Sequence, residues 1–236
     1  MSATPSTNEY GQPIGAPLPD WQPRPLPPRT PIQGRLCRLE PLDAARHGDD
    51  LAETFSQAPD GRGWTYLFKG PFFSRAEHLD YVAQQAASPD TLHHAVVDQL
   101  TGRAVGTLAL MRMDPAHGVI EVGHVSFSPV LQRTALSTEA QYLLMRRVFD
   151  ELGYRRYEWK CDSLNAPSRA AAQRLGFQFE GIFRQAVVYK GRTRDTAWFS
   201  IIDSEWPARK AAFERWLAPE NFDDHGVQRR RLGELP

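Results

Sequence analysis

Small and polar side chains dominate the segment from Phe127 to Ala140, where a strand-like run ends and a helical pattern begins. The start of a helix presents backbone N–H groups without intrahelical partners, and the helix dipole adds positive potential there. A phosphate group is the natural ligand of such a junction. Ala135 and Ser137 are small enough to let it approach the backbone closely. The alternative is an ordinary helix start, capped by Ser137 or Thr138, that binds nothing.

A second candidate helix start covers residues 165–168 and follows a strand-like run that ends at residue 162. Asn165 is a good N-cap, and Pro167 is tolerated in the first turn because its missing N–H would have no partner there. Each of the two helix starts follows a strand, and open α/β sheets bind ligands beyond such strand ends. Together the two segments are typical of a site for a long phosphorylated cofactor.

The two segments resemble motifs of the Gcn5-related N-acetyltransferases (GNAT). The first resembles their acetyl-coenzyme A signature, Gln/Arg-x-x-Gly-x-Gly/Ala, with Gln132 in the first place and Ser137 in the last small position. Ala135 stands where the central glycine usually lies. The Asn-x-x-Ser of residues 165–168, followed by Leu-Gly-Phe at 175–177, is similar to the next motif of the family.

A third segment, residues 179–186 with Gly191 and Asp195 beyond it, resembles the GNAT branch typified by ribosomal-protein alanine N-acetyltransferases. The resemblance to the family as a whole covers residues 34–205 and leaves both ends of the chain outside. The order and spacing of the motifs, rather than any one of them, make it specific.

The resemblance implies a sheet splayed between two central strands, with acetyl-CoA as co-substrate, its pantetheine in the gap, and no metal. Backbone groups of Val125 and Phe127 would bind the pantetheine and the thioester, and the six N–H groups of residues 132–137 would hold the pyrophosphate. Arg133 stands where a small residue is common, and its guanidinium either bonds a phosphate or points to solvent. The cofactor-binding residues implied in this way are Val125, Phe127, Gln132, Arg133, Thr134, Ala135, Leu136, Ser137 and Asn165.

Acetyl transfer needs a neutral amine held against the thioester, donors for the developing oxyanion and a proton for the leaving thiolate. The resemblance implies Ser168 as the acid, because many GNAT enzymes have a tyrosine where this chain has Ala172; alternatively its hydroxyl bonds its own helix backbone. Glu121 is the preferred base, directly or through water, or else an exposed strand carboxylate. His124 either titrates near neutrality or is a packed imidazole. The related branch has a carboxylate where this chain has Val187. This difference bears on which residue is the base and on whether the substrate is a ribosomal protein.

The expected acceptor is a primary amine, on a protein N-terminus or on a small molecule. A lysine amine has a pKa of ~10.4 and an α-amine one of ~8, so a strong base is optional for the second. Five aromatic residues between the first two predicted helices form either core or an acceptor pocket, and as a pocket they would favour an acceptor with an apolar portion. They are Trp64, Tyr66, Phe68, Phe72 and Phe73.

The elements that position these residues follow from the hydrophobic periodicity. The pattern predicts strands near residues 36–40, 94–98, 104–113, 119–126, 157–161, 177–189 and 193–202, and helices near 43–55, 74–87, 137–152, 165–175 and 207–217. This order predicts an α/β (α+β) fold with a mixed, splayed sheet of about seven strands flanked by helices. We expect a Pro-rich arm at 1–33, an acetyltransferase domain at 34–206, and a helix with a polar tail at 207–236.

Composition excludes several classes of protein. Lys plus Arg and Asp plus Glu each number 28 in 236 residues, so no bulk attraction to nucleic acid or anionic membrane is expected. The absence of a long apolar run predicts a soluble, cytoplasmic protein. Cys37 and Cys161 lie in predicted strands and are expected to be buried free thiols. Tyr10 and Trp21 predict that the arm docks, either on its own domain or on a second subunit, which would make a homodimer.

Two rival classes remain from the sequence. A non-catalytic acyl-CoA binding or sensing module would keep Gln132 and Asn165 but lack the chemistry. A nucleotide-binding α/β protein is disfavoured, because the loop has neither Gly-x-Gly-x-x-Gly nor the lysine of a P-loop.

Overall fold

A computed structural model describes residues 6–235, and its central feature is a mixed eight-stranded sheet in the order β3-β4-β5-β6-β7-β8-β10-β9. Residues 1–5 of the predicted arm and residue 236 of the predicted tail lie outside the described part. The strands are β1 (Ser6–Thr7), β2 (Pro13–Ile14), β3 (Ile32–Gln33), β4 (Cys37–Pro41), β5 (Leu92–Asp98), β6 (Ala104–Asp114), β7 (Val119–Phe127), β8 (Arg156–Asp162), β9 (Gln178–Tyr189) and β10 (Arg192–Ile202). The helices are α1 (Ala44–Ser56), α2 (Arg75–Ala86), α3 (Ala135–Arg146), α4 (Ala166–Arg174) and α5 (Trp206–Leu217).

The predicted fold class is confirmed, with one strand more than the predicted seven. The additional strand is β3, in which Ile32 pairs with Leu39 and Gln33 with Arg38. The last residues of the Pro-rich segment therefore join the sheet. The predicted end of the third helix also differs, since a π-helical turn at Arg147–Glu151 follows α3.

The sheet opens between its two central strands. β7 and β8 are parallel, because α3 crosses over the sheet between them, and they pair only from Val119 with Arg156 to Val122 with Trp159. Residues 123–127 of β7 and 160–162 of β8 do not pair with each other. This divergence leaves a gap at the carboxyl ends of both strands, as predicted.

The two faces of the sheet differ in chemistry because successive side chains of a strand alternate between them. On β8, Tyr157, Trp159 and Cys161 belong to the main core with α3, α4 and α5, and full burial of one large apolar side chain stabilises by about 1.5–3 kcal/mol. The opposite face of β8 carries Glu158 and Lys160. We call this second side the front face.

The front face is only partly covered. A small second core joins α1 and α2 to β5 and β6 through Leu51, Val82, Ala95 and Val97. The front faces of β7, β8 and β10 lie beyond this cover and are mainly polar. The charged surface therefore borders the gap on the front side.

The Pro-rich arm lies against its own domain. The Trp21 indole donates to the carbonyl of Ala116 at 2.8 Å and packs over Gly118, where an added Cβ would meet its ring at 2.5 Å. The Tyr154 hydroxyl donates to the Pro25 carbonyl at 3.2 Å. Tyr10, by contrast, is 77% exposed, so Trp21 and not Tyr10 anchors the arm.

Three further sequence expectations concern the cysteines, a membrane span and a metal site. Within the described residues Cys37 and Cys161 are buried free thiols, as predicted. Over the same range, none of the helices combines the length and apolar character needed to cross a bilayer, and His, Cys, Asp and Glu side chains form no group of three or more that could hold a metal ion.

Candidate active site

A β-bulge shapes the β7 side of the gap. Thr107 pairs with Ser126 but Ala109 pairs with Gly123, so His124 and Val125 together lie opposite a single residue of β6. His124 has a φ of 48°, a left-handed conformation that bulges accommodate and that re-aims the neighbouring backbone. The structure thus places Val125 and Phe127, the predicted pantetheine-binding residues, in the stretch of β7 that has left β8.

The loop after β7 is held in place by its own polar side chains. The Ser128 hydroxyl donates to the Val105 carbonyl at 2.6 Å, and the Gln132 amide donates to the Phe127 carbonyl at 2.7 Å. Gln132 therefore ties the loop to the last residue of β7. This hydrogen bond gives the glutamine at the first place of the motif a structural role, which does not depend on a contact with a ligand.

Helix α3 begins earlier than predicted. Thr134 is the N-cap, and its hydroxyl oxygen accepts from the Ser137 N–H at 3.2 Å while its own proton goes to the Leu131 carbonyl at 2.7 Å. The predicted cap at Ser137 or Thr138 was wrong, because the Leu131 carbonyl lies within reach of Thr134 and fixes its side chain. The helix start moves to Ala135.

Four amides at this helix start point away from the protein's own acceptors. Of the six predicted donors, the Gln132 N–H bonds the Ser128 carbonyl at 3.1 Å and the Ser137 N–H bonds Thr134. The N–H groups of residues 133–136 have no hydrogen-bond partner within residues 6–235. Arg133 is exposed and has a φ of 61°. Of the six N–H groups predicted to hold the pyrophosphate, these four remain candidates. Their binding of a pyrophosphate stays a prediction.

The second helix start holds Ser168 beside the other side of the gap. Asn165 caps α4 by accepting from the Ser168 N–H at 3.1 Å, as the sequence indicates. The Ser168 hydroxyl accepts from the Trp159 indole N–H at 3.0 Å, and within residues 6–235 it makes no hydrogen bond to its own helix backbone. Burial raises the pKa of the nearby Cys161 thiol, and a hydrogen bond from Ser168 opposes that increase.

The predicted base, Glu121, is buried within a network of ion pairs. Its carboxylate lies 2.8 Å from the Arg112 guanidinium and 2.9 Å from the Lys160 ammonium. Lys160 also pairs with Glu158 at 2.7 Å and lies 3.7 Å from the centre of the Trp198 ring. Strand alternation in one sequence cannot show these partners, because they come from β6, β8 and β10.

His124 lies in a second cluster of titratable groups. Its ring centre is 4.9 Å from that of His93. Burial lowers the pKa of His124, and burial together with the neighbouring imidazole lowers the pKa of His93 to about 3. Both rings are therefore neutral at pH 7, and the packed-imidazole alternative fits His124 better.

The aromatic residues between α1 and α2 divide into two groups. Trp64 packs edge-on against Phe72, with ring centres 4.9 Å apart, and belongs to the structural interior. Phe68 is half exposed and lies 5.5 Å from Tyr189 on the front face. Phe73 is 89% exposed. Of these four rings, only Phe68 packs against a residue of the front face.

Two residues that the sequence analysis missed, Tyr189 and Arg194, complete the front face. Burial, and then a hydrogen bond to Asp162 at 2.7 Å, raise the pKa of Tyr189 to about 12, so its hydroxyl remains a donor. Arg194 is buried beside Tyr189. The polar alternation of β10 at residues 194, 196 and 200 is the one sequence signal that marks this surface.

A mixed sheet splayed at one parallel pair, with a helix start and unpaired amides at the opening, is the architecture of an N-acetyltransferase. The chain belongs to the Acetyltransferase (GNAT) domain family, whose sequence model matches residues 38–178. Enzymes of this family use acetyl-CoA as co-substrate, so the predicted family, activity class and acyl donor are confirmed.

Three proteins similar to this chain show its relationships within the family. It is 52% identical to a GCN5-related N-acetyltransferase from Brucella melitensis of known structure, with a TM-score of 0.90 over 92% of this chain and 99% of that one. A GNAT-family protein from Chromobacterium violaceum ATCC 12472 is 46% identical, with a TM-score of 0.77 over 84% and 98%. The "Putative ribosomal N-acetyltransferase YdaF" of Bacillus subtilis (strain 168) is 25% identical over 174 residues, 73% of this chain and 92% of that protein.

Proposed function

We propose that this protein transfers the acetyl group of acetyl-CoA to a primary amine by direct attack in a ternary complex. The observation that carries the proposal is the gap between β7 and β8, because it lets one ligand reach the front face from the α3 side. The four unpaired amides at residues 133–136 hold the pyrophosphate at the mouth of this gap. Val125 and Phe127 bind the pantetheine along the free edge of β7.

In the reaction one bond forms and one breaks. One proton leaves the amine, and another is added to the thiolate. The amine nitrogen attacks the thioester carbonyl, the C–N bond forms, and the C–S bond breaks. Glu121 accepts the amine proton through a water at its Oε1, since Arg112 and Lys160 both contact its Oε2. Ser168 donates a proton to the leaving thiolate and regains one from solvent, while Glu121 releases the amine proton to solvent. The amine acceptor is a protein N-terminus or a small molecule, in a protein that works in the cytoplasm.

The proposal is tested by release of free thiol from acetyl-CoA against a panel of N-terminal peptides and small amines. We expect acceptor-dependent thiol release, an initial-rate pattern of intersecting lines, and no acetylated enzyme by mass spectrometry. Parallel lines with an acetyl-enzyme would contradict direct attack. Calorimetric binding of acetyl-CoA without thiol release from any acceptor would favour a non-catalytic acyl-CoA binding module instead.

Glu121→Gln is expected to slow the reaction mainly at neutral pH. An α-amine with a pKa of ~8 is about one-tenth neutral at pH 7, so a base accelerates its reaction by at most about tenfold there and by almost nothing above pH ~9. We therefore predict a deficit in kcat/KM of about tenfold at pH 7 that disappears as pH rises. The measurement is the pH profile of kcat/KM for the acceptor.

Glu158→Gln is the matched control, because it removes the other carboxylate partner of Lys160 from the same face. We expect its pH profile to follow that of the wild type. A deficit of equal size in both variants at every pH would assign Glu121 to electrostatic support of Lys160 and remove it as the base.

A further inference from the structure

Arg194 is a buried cation without a protein anion. The residue is 8% exposed, and its Nε donates to the Thr196 hydroxyl at 3.2 Å. Among residues 6–235 no carboxylate forms an ion pair with it. Burial of a charge without a counter-charge is costly, so its position requires an explanation.

The neighbouring cations on the front face are each paired with carboxylates. Lys160 bonds Glu121 and Glu158, and Arg156 bonds Glu158 and Glu180. Asp162, the last residue of β8, is the cross-strand partner of Thr196 on β10 and is therefore the carboxylate of β8 closest to Arg194 along the sheet. Its two oxygens already accept from the Leu164 N–H at 2.9 Å and the Tyr189 hydroxyl at 2.7 Å.

Two aromatic rings flank the guanidinium of Arg194. Its central carbon lies 5.3 Å from the Phe68 ring centre and 5.7 Å from the Tyr189 ring centre. Val187, its cross-strand neighbour on β9, is apolar. Because the rings pack on its sides and Thr196 takes its Nε–H, the terminal N–H groups are the donors that remain for a ligand.

Arg194 also lies beside the end of β8, the strand that borders the gap. Asp162 is the last residue of β8, and the Ser163 N–H donates to the Asp195 carbonyl at 2.8 Å, which brings β10 alongside the end of β8. A ligand whose amine reaches the thioester from the front face passes this position.

We propose that Arg194 binds a carboxylate of the acceptor, so that the preferred substrates are primary amines that also carry a carboxylate. This inference rests on the proposed function and names its substrate class. A planar carboxylate accepts two parallel N–H bonds from one guanidinium, which fixes the direction of the acceptor as well as its affinity. The half-exposed Phe68 ring borders the same place and accommodates an apolar part of the acceptor.

The test compares pairs of acceptors that differ only in this group, by thiol release from acetyl-CoA. One arm uses amino acids against amino-acid amides, and a second uses dipeptides with Asp or Asn after an N-terminal Ala, which separates a main-chain from a side-chain carboxylate. Because amidation also changes the pKa of the amine, the quantity is the carboxylate-to-amide ratio of kcat/KM in the variant relative to the wild type.

We expect Arg194→Gln to reduce this ratio by about ten- to a hundredfold through the acceptor KM, and to leave the KM for acetyl-CoA unchanged. Arg194→Lys keeps the charge but loses the pair of parallel N–H donors. We expect its carboxylate-to-amide ratio to lie between those of the wild type and Arg194→Gln, and it replaces the glutamine variant if that variant unfolds. Arg192→Gln is the control, since Arg192 also contacts the aromatic loop, through the Thr65 carbonyl at 2.8 Å, and should leave the ratio unchanged.

The outcomes separate the inference from the function beneath it. Thiol release with an equal carboxylate-to-amide ratio in wild type and Arg194→Gln would overturn the inference and leave the acetyltransferase proposal standing. An equal fall in Arg192→Gln would also overturn it, because the effect would then belong to the loop. Absence of thiol release with every acceptor would overturn both.

Discussion

Ser168→Ala is expected to lower kcat by about a hundredfold, in the range typical of a lost general acid, while the affinity for acetyl-CoA stays nearly unchanged. The Trp159 indole can only donate, so the Ser168 hydroxyl must accept from it, and its own proton is left for an acceptor, which is the Cys161 sulfur in this structure. In the proposed reaction the departing sulfur replaces Cys161 as that acceptor. Binding is preserved because the amides of residues 133–136 lie on a different helix. Single-turnover rates and calorimetry with acetyl-CoA measure the two effects separately.

Ser168→Thr is the control for this variant, because it retains the hydroxyl while changing the packing at the start of α4. Ser168→Ala also leaves the partly buried Trp159 N–H without its acceptor, at a cost in stability of about 1–3 kcal/mol, so thermal unfolding of both variants accompanies the kinetics. A kcat for Ser168→Ala equal to that of the wild type would remove Ser168 from the chemistry. Equal losses of kcat in the alanine and threonine variants would assign it a packing role.

The backbone framework of the site was largely predictable from the sequence because it depends on local signals. A strand, a turn of small residues and a helix start follow one another at residues 127–140. Each of them can be recognised from the types of a few neighbouring residues. Asn165 capped its helix as predicted for the same reason. The cap of α3 was misplaced by three residues or more because Thr134, Ser137 and Thr138 all suit an N-cap. The Leu131 carbonyl, which decides between them, is a matter of three-dimensional geometry.

The chemistry of the front face was much less predictable because its partners are distant in sequence. Glu121 was expected to be either a base or an exposed carboxylate, and its burial depends on Arg112 and Lys160 from the neighbouring strands. Arg194 acquires its surroundings from Phe68, in the loop before α2, and from Tyr189. Periodicity identifies which face of a strand a residue occupies, but not which charges meet there.

One buried carboxylate links the fold to the cofactor loop. Glu139, in the second turn of α3, accepts from three backbone N–H groups of the chain entering β4, those of Arg35 at 3.0 Å, Leu36 at 2.7 Å and Cys37 at 2.7 Å. The packing around it is tight, since a Cβ on Gly34 would lie 2.7 Å from one of its oxygens. The start of α3, which presents the four unpaired amides, is therefore fixed to the edge of the sheet through this side chain.

Glu139→Ala is expected to destabilise the protein more than Ser168→Ala does. Each buried N–H left without an acceptor costs about 1–3 kcal/mol, so three of them remove at least about 3 kcal/mol from a typical total of roughly 5–15 kcal/mol. For a chain of this size that corresponds to a decrease in Tm of about 6–12 °C or more. Urea and thermal unfolding measure the loss, and calorimetry should show weaker acetyl-CoA binding, because the N-terminal turn of α3 is no longer held.

Glu139→Gln distinguishes the hydrogen bonds from the charge. Its single amide oxygen can still accept from the two N–H groups that share one carboxylate oxygen, Leu36 and Cys37, so we expect it to retain part of the stability that the alanine variant loses. Glu220→Ala removes an exposed carboxylate and should change stability by less than about 0.5 kcal/mol. If Glu139→Ala lowered Tm no further than Glu220→Ala, the three amides would have other acceptors, and α3 would be positioned by its apolar contacts with the core alone.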